Sequence, residues 1–259
     1  MAIVVTTELV KELRDKTGIS VMQCRKALEE AEGDMNKALA ILKKSSSDIA
    51  LKKADREVKD GAVKVVGSGD TLALVSLLCE TDFVSKNQDF VNLLNELAEK
   101  ALKDGVDGLA SSAKELIDGV IQKTGENIQL GESYIVKGSV LGNYVHNNEK
   151  AVIVSLEGGN SDLAKDIAMH IAAMHPEFIS KDDIKEEDKN TMTEVFSKEV
   201  ASVNKPEEIK QKMLQGKIDT YFKEKTLLSQ PFIKNPDETI ESLLSKAGAK
   251  IKEVKQYSI

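Results

Sequence analysis

The 259 residues carry 36 Lys and Arg against 43 Asp and Glu, a formal charge of −7 with a pI near 5.3, the wrong sign for a protein that coats nucleic acid or an anionic membrane. At 41% hydrophobic and 31% charged residues with four prolines, the composition excludes disordered and collagen-like classes and fits one large or two modest globular domains. Cys24 and Cys79 are too few for a disulfide framework, no apolar run approaches the ~20 residues that span a bilayer, and the charged start MAIVVTTELVKELRD is no signal peptide. A cytoplasmic protein with a protein partner is expected.

Leu9, Val10 and Leu13 form an apolar stripe ending at Thr17-Gly18, which predicts a first helix. Ser20-Val21-Met22-Gln23 has the form of a capping box, and Val21, Cys24, Leu28 and Ala31 continue at helical spacing to Gly33. Asp34 is the expected N-cap of a third helix through Met35, Ala38, Leu39 and Leu42. Lys43-Lys44-Ser45-Ser46-Ser47 has no apolar period and reads as the start of a linker, with a short polar helix to Arg56. From Ala62 the period becomes that of strands: Val63, Val65 and Val66, a turn at Gly67-Ser68-Gly69-Asp70, then Leu72 to Leu78, apolar enough to be buried on both faces. A helix is expected from about Lys86, with Phe90, Val91, Leu94, Leu97, Ala98 and Ala101 on one face. The order then recurs: a strand from Tyr134 to Val140, a loop through His146-Asn147-Asn148, a strand from Ala151 to Leu156, a turn at Gly158-Gly159, and a helix from Ser161 to Met174. This apparent duplication predicts an α+β fold, an N-terminal three-helix module followed by two antiparallel-sheet and helix subdomains. Residues 181–225 read as an inserted helical hairpin with Ile209, Met213 and Leu214 as its stripe, and Ile251 to Tyr257 as a strand returning to the second sheet. The expected boundaries are 1–44 for the module, 45–56 for the linker, 57–140 for the first subdomain, and 141–180 with 226–259 for the second.

Little in the chain points to chemistry of its own. Cys79 invites a nucleophile reading with a distant His, but it ends an apolar strand, where small buried Cys is common. His170 and His175 match no zinc motif, and Gly67-x-Gly69 and Gly158-Gly159 lack what a phosphate cradle requires. No catalytic residue, metal or cofactor is expected. What stands out is Phe83 in the polar stretch Glu80-Thr81-Asp82-Phe83-Val84: a core anchor for the next helix, or an aromatic presented to a partner.

Cys79-Glu80-Thr81-Asp82-Phe83-Val84 resembles the signature loop of the bacterial elongation factor Ts family, guanine-nucleotide exchange factors of elongation factor Tu. Thr17-Gly18 through Cys24-Arg25-Lys26-Ala27-Leu28 and Gly33-Asp34 is similar to that family's ubiquitin-associated-type module. Gly125-Glu126-Asn127-Ile128, Tyr144 with His146, His170-Ile171-Ala172-Ala173 with Pro176-Glu177-Phe178, and Gln230-Pro231-Phe232-Ile233 follow in the family's order. The resemblance implies an exchange factor, not an enzyme, in translation elongation, with Thr81, Asp82, Phe83 and Val84 forming the loop that dislocates the GTPase's Mg2+. It implies partner contacts at Arg25, Thr124, Gly125, His146, Ile233 and Lys234. Arg25 stands where the family usually has lysine, Thr124 where an aliphatic is common, and Lys234 where an apolar residue is usual. The implied partner is elongation factor Tu, with no nucleic acid or membrane. The 181–225 hairpin is a candidate dimerisation module, which would give a heterotetramer, and the further C-terminal helix of some relatives is not expected after Ile259. Two other classes of function compete with it: an adaptor for ubiquitin-like ligands, which leaves the duplicated core unemployed, and a Cys79 hydrolase, which needs a His and an orienting group near the thiol.

Overall fold

The computed structural model describes residues 5–259; residues 1–4 of the expected module lie outside the described residues. Three helices come first, α1 (Thr7–Thr17), α2 (Val21–Glu30) and α3 (Met35–Lys53). Thr6, Ser20 and Asp34 cap them with side-chain oxygens that accept from Leu9, Gln23 and Asn36/Lys37 amides, and Gly18 ends α1 in the left-handed conformation, φ 68°. Val10, Leu13, Cys24, Leu28, Ala38 and Leu42 close a small core among them. Two sequence expectations fail here. Val21 is half exposed rather than part of the stripe. The run Lys43–Ser47, expected to break the chain, lies inside α3, because Ser46 is buried with its hydroxyl on the Lys43 carbonyl and Ser47 Oγ donates to buried Asp118 at 2.8 Å. Satisfied in this way, the serines stop competing with the helix.

Strands β1 (Asp60–Ser68) and β2 (Thr71–Cys79) form a hairpin around Gly69-Asp70, and β3 (Ile128–Lys137) pairs antiparallel with β2, giving the order β1-β2-β3. Between β2 and β3 come a one-turn helix α4 (Asp82–Ser85) and the long α5 (Gln88–Thr124). At Gly105 (φ 78°, ψ 175°) α5 folds back on itself, so that Asp89 near its start and Lys123 near its end meet at 2.8 Å. Phe90, Leu94, Leu97 and Ala101 from the first half and Leu109, Ile117 and Ile121 from the second share one core with Ala73, Val75, Leu77 and Cys79 of β2 and with Ile49 and Ala50 of α3.

Strands β4 (Val140–His146), β5 (Lys150–Glu157) and β8 (Lys250–Ser258) make a second sheet in the order β4-β5-β8. The strand expected over Tyr134 to Val140 is therefore two strands of different sheets, divided at Gly138-Ser139. Helix α6 (Ser161–Met174) and α9 (Ile240–Lys246) supply Ile167, Ile171 and Leu244 to a core with Val152, Val154 and Leu156 of β5. Helices α7 (Glu186–Ala201) and α8 (Glu207–Lys225) pack on each other, and β6 (Pro231–Phe232) with β7 (Asn235–Thr239) forms a short ribbon. The predicted hairpin stripe does not carry α7 and α8: Ile209 is exposed, and Met213 and Leu214 are only half-buried. An aromatic chain does so instead, Phe196 on Tyr221 at 5.8 Å, Tyr221 on Phe222 at 5.2 Å and Phe222 on Phe178 at 6.1 Å. The chain divides into two compact units, one holding the residues up to Lys137 with Val145–Ala151 and Gln256–Ile259, the other Gly138–Tyr144 with Val152–Lys255.

Candidate functional site

The stretch expected as a polar connection is the one-turn helix α4. Phe83 is 82% exposed on it, the most solvent-open phenylalanine a partner could meet, while its neighbour Val84 is buried. Apolar burial therefore goes to Val84, and the core-anchor reading of Phe83 falls. Asp82 pairs with Lys86 at 2.7 Å, and this exposed contact holds its carboxyl below the usual carboxylate range. Thr81 stands at the N-cap of α4 without capping it. Its hydroxyl donates to Glu126 Oε1 at 2.7 Å and its amide to Glu126 Oε2 at 3.1 Å. In return the Asn127 amide donates to Glu80 Oε1 at 2.6 Å, and with Arg56 it keeps the Glu80 carboxyl low.

That exchange joins Thr81 to the turn after α5. Thr124 Oγ1 donates to the Val120 carbonyl, and Gly125 ends the helix at φ 78° and is exposed. Asn127 is buried, and its side chain donates to the Arg56 carbonyl at 2.7 Å, while Lys53 Nζ donates to the Gly125 carbonyl. The end of α3 is thus part of the same support. His146 is exposed at the end of β4, in a tight turn with Asn147 (φ 51°) and Asn148 (φ 60°), whose Asn148 carbonyl accepts from the Val63 amide of β1 at 2.6 Å. Ser85 and Lys86 line a cleft of about 320 Å³ with Asn147, Asn148 and Glu149 of that turn. So the first unit gathers Thr81–Val84, Thr124–Gly125 and the His146 turn. Arg25 is exposed on α2 and paired with Glu29 of the same helix at 2.9 Å.

In the second unit Ile233 and Lys234 form the two-residue tip between Phe232 and Asn235, with Ile233 exposed. Two residues of α6 one turn apart hold the tip. Lys234 Nζ pairs with Asp166 at 2.6 Å, and fully buried His170 accepts the Ile233 amide on Nδ1 at 3.2 Å. An accepting Nδ1 puts the ring proton on Nε2, which then donates to Gln230 Oε1 at 2.9 Å. Burial pushes the His170 pKa down, the Gln230 contact opposing it.

Glu80, Glu126, Asn127, His170 and Gln230 were not among the residues expected at a site. A lone histidine in the apolar run Ala168 to Ala173 is the signal for His170; for Glu126 it is a carboxylate next to a glycine helix end. Cys79 is buried, and burial with the nearby Asp60 and Glu126 charges pushes its thiol up to about 12. It stays protonated near neutrality, which removes the nucleophile reading.

A family model described as Elongation factor TS matches residues 80–259, from the residue before Thr81 to the end of the chain. The chain belongs to the elongation factor Ts family. It is 40% identical to Elongation factor Ts of Hahella chejuensis over 98% of this chain and 92% of that one. Identity to Elongation factor Ts of Thioalkalivibrio sulfidiphilus is 39% over the same shares, and to that of Arthrospira platensis 41% over 89% of this chain and 99% of that one. The elongation factor Ts relatives thus align with both compact units, and the role of an elongation factor comes with them. No helix among the described residues is long and apolar enough to cross a membrane.

Proposed function

We propose that this protein is the guanine-nucleotide exchange factor of elongation factor Tu, acting by inserting Phe83 into the GTPase and disturbing its Mg2+ and phosphate-loop site. The observation that carries the reading is Phe83, 82% exposed on a single helical turn whose other apolar side chain is buried. A GTPase holds GDP through phosphate-loop amides and a bridging Mg2+, so loosening either releases the nucleotide. Phe83 with Asp82 supplies the wedge, Thr124, Gly125 and His146 flank it, and Ile233 with Lys234 and Arg25 add contacts elsewhere on the partner. Linkage makes the effect reciprocal: the factor weakens nucleotide by the ratio by which nucleotide weakens the factor, each tenfold being about 1.4 kcal/mol. GTP then displaces the factor. The 181–225 hairpin is a candidate self-association element within this scheme.

Release of fluorescent GDP from elongation factor Tu, with and without this protein, tests the reading at high and near-zero free Mg2+. The protein is expected to accelerate release in excess Mg2+ and to add less once chelation has removed the ion, because two perturbations of one interaction are not additive. No acceleration in excess Mg2+ would sink the proposal.

A further inference from the structure

We propose that Glu126 is a positioning residue for the Phe83 wedge: its carboxylate, crossed with that of Glu80, fixes α4 to the Gly125 turn so that both meet the partner as one rigid piece. The inference rests on the exchange reading above.

A helix of four residues has no stability of its own, since nucleation costs more than one turn of hydrogen bonds returns. Its N-cap hydroxyl ordinarily accepts from an amide of the first turn, yet Thr81 makes no such bond. Both Thr81 donors go to the two oxygens of one carboxylate, 45 residues further along the chain, at 2.7 and 3.1 Å. The reverse bond, Asn127 amide to Glu80 at 2.6 Å, runs beside it, so the segments 80–81 and 126–127 exchange carboxylates. Charge-assisted bonds of this kind are short and directional, and two of them on adjacent residues fix an angle as well as a distance. Asn127, buried and bonded to the Arg56 carbonyl, anchors the far side. Phe83 is two residues from Thr81, and its own ring is free of the core; its direction is therefore set by this clamp and by buried Val84.

Glu126→Gln keeps the size but leaves one oxygen for two donors and turns an NH2 toward the other. The variant is expected to release GDP about tenfold more slowly at saturating protein, with a melting temperature within a few degrees of wild type. In a Phe83→Ala background the same substitution should cost less than twofold, since the wedge it aims is gone. Hydrogen exchange of the 81–86 amides in the free protein should speed up about tenfold. Equal fold-losses in the two backgrounds would make Glu126 a direct partner contact, and unchanged hydrogen exchange would mean that α4 is held without it; either result overturns the clamp. If wild type fails to accelerate release, the exchange reading falls and the hydrogen-exchange arm alone decides the clamp.

Discussion

Phe83 and His170 show how differently two residues reveal themselves. The motif around Phe83 is visible in the sequence, but whether the ring faces solvent or core depends on which of Phe83 and Val84 points inward from α4, and only packing decides that. Truncating an exposed wedge removes no core contact, so Phe83→Ala should slow exchange by one to two orders of magnitude, a cost of about 2 kcal/mol or more, while thermal melting stays at the wild-type temperature. A variant that melts lower and exchanges normally would refute the assignment. His170 reads in sequence as a histidine without a metal partner; its job, accepting the Ile233 amide and donating to Gln230, requires residues 60 positions away. Its folded pKa lies below the ordinary value of about 6.5. The unfolded chain therefore binds the proton first as pH falls, and the stability His170 contributes is complete above about pH 6.5 and is lost below it, at no more than about 1.4 kcal/mol per pH unit. Melting of wild type should fall between pH 7.5 and 5.5, and His170→Asn, less stable throughout, should show a flatter profile. Equal slopes in the two proteins would assign the acid sensitivity elsewhere.

At the scale of elements, α3 is where composition misleads. Its first half, with Ala38 and Leu42, closes the small helical core, and its second half, with Ile49 and Ala50, enters the core under the first sheet. Serines and lysines between the two halves hide a continuous helix because the partners that satisfy them, Asp118 for Ser47 and Glu115 for Lys43, lie on α5. The helices α1 and α2, by contrast, are legible from caps and spacing, since every group that ends them is local. Truncation tests the division. Removing residues 1–42 should leave the melting temperature of the remainder nearly unchanged and weaken affinity for the GTPase more than the maximal exchange rate. Removing residues 1–55 also takes Ile49, Ala50 and the Lys53 contact to Gly125, and should lower melting by about 4 °C or more, a loss above roughly 1 kcal/mol. Equal melting of the two truncations would show that the second half of α3 supports nothing.

For the whole molecule, the proposed contacts fall in two compact units, with Phe83, Gly125 and His146 in one and Ile233 in the other. If each unit meets the partner through its own contact set, losses from the two should multiply. Ile233→Ala is expected to raise the half-saturating concentration by the same factor in wild type and in Phe83→Ala, measured by GDP release. Strong non-additivity would mean that the units report to one another. The α+β class and the tail strand are readable from period alone; the assignment of β3 and β4 to different sheets is not, because Lys137-Gly138-Ser139 between the apolar Tyr134–Val136 and Val140-Leu141 reads equally as a polar interruption of one strand, and only pairing partners distinguish the two. The fold-back at Gly105 is what brings residues 81 and 126 together, for an unbroken α5 would extend about 55 Å. Its backbone at φ 78°, ψ 175° belongs to glycine, yet a β-carbon built there would meet nothing within 4 Å. The obstacle at that corner is handedness, not a crowding neighbour: the angle pair is ordinary for a mirror-image residue and foreign to a natural one, so the assembly of the site depends on one position in the chain being achiral.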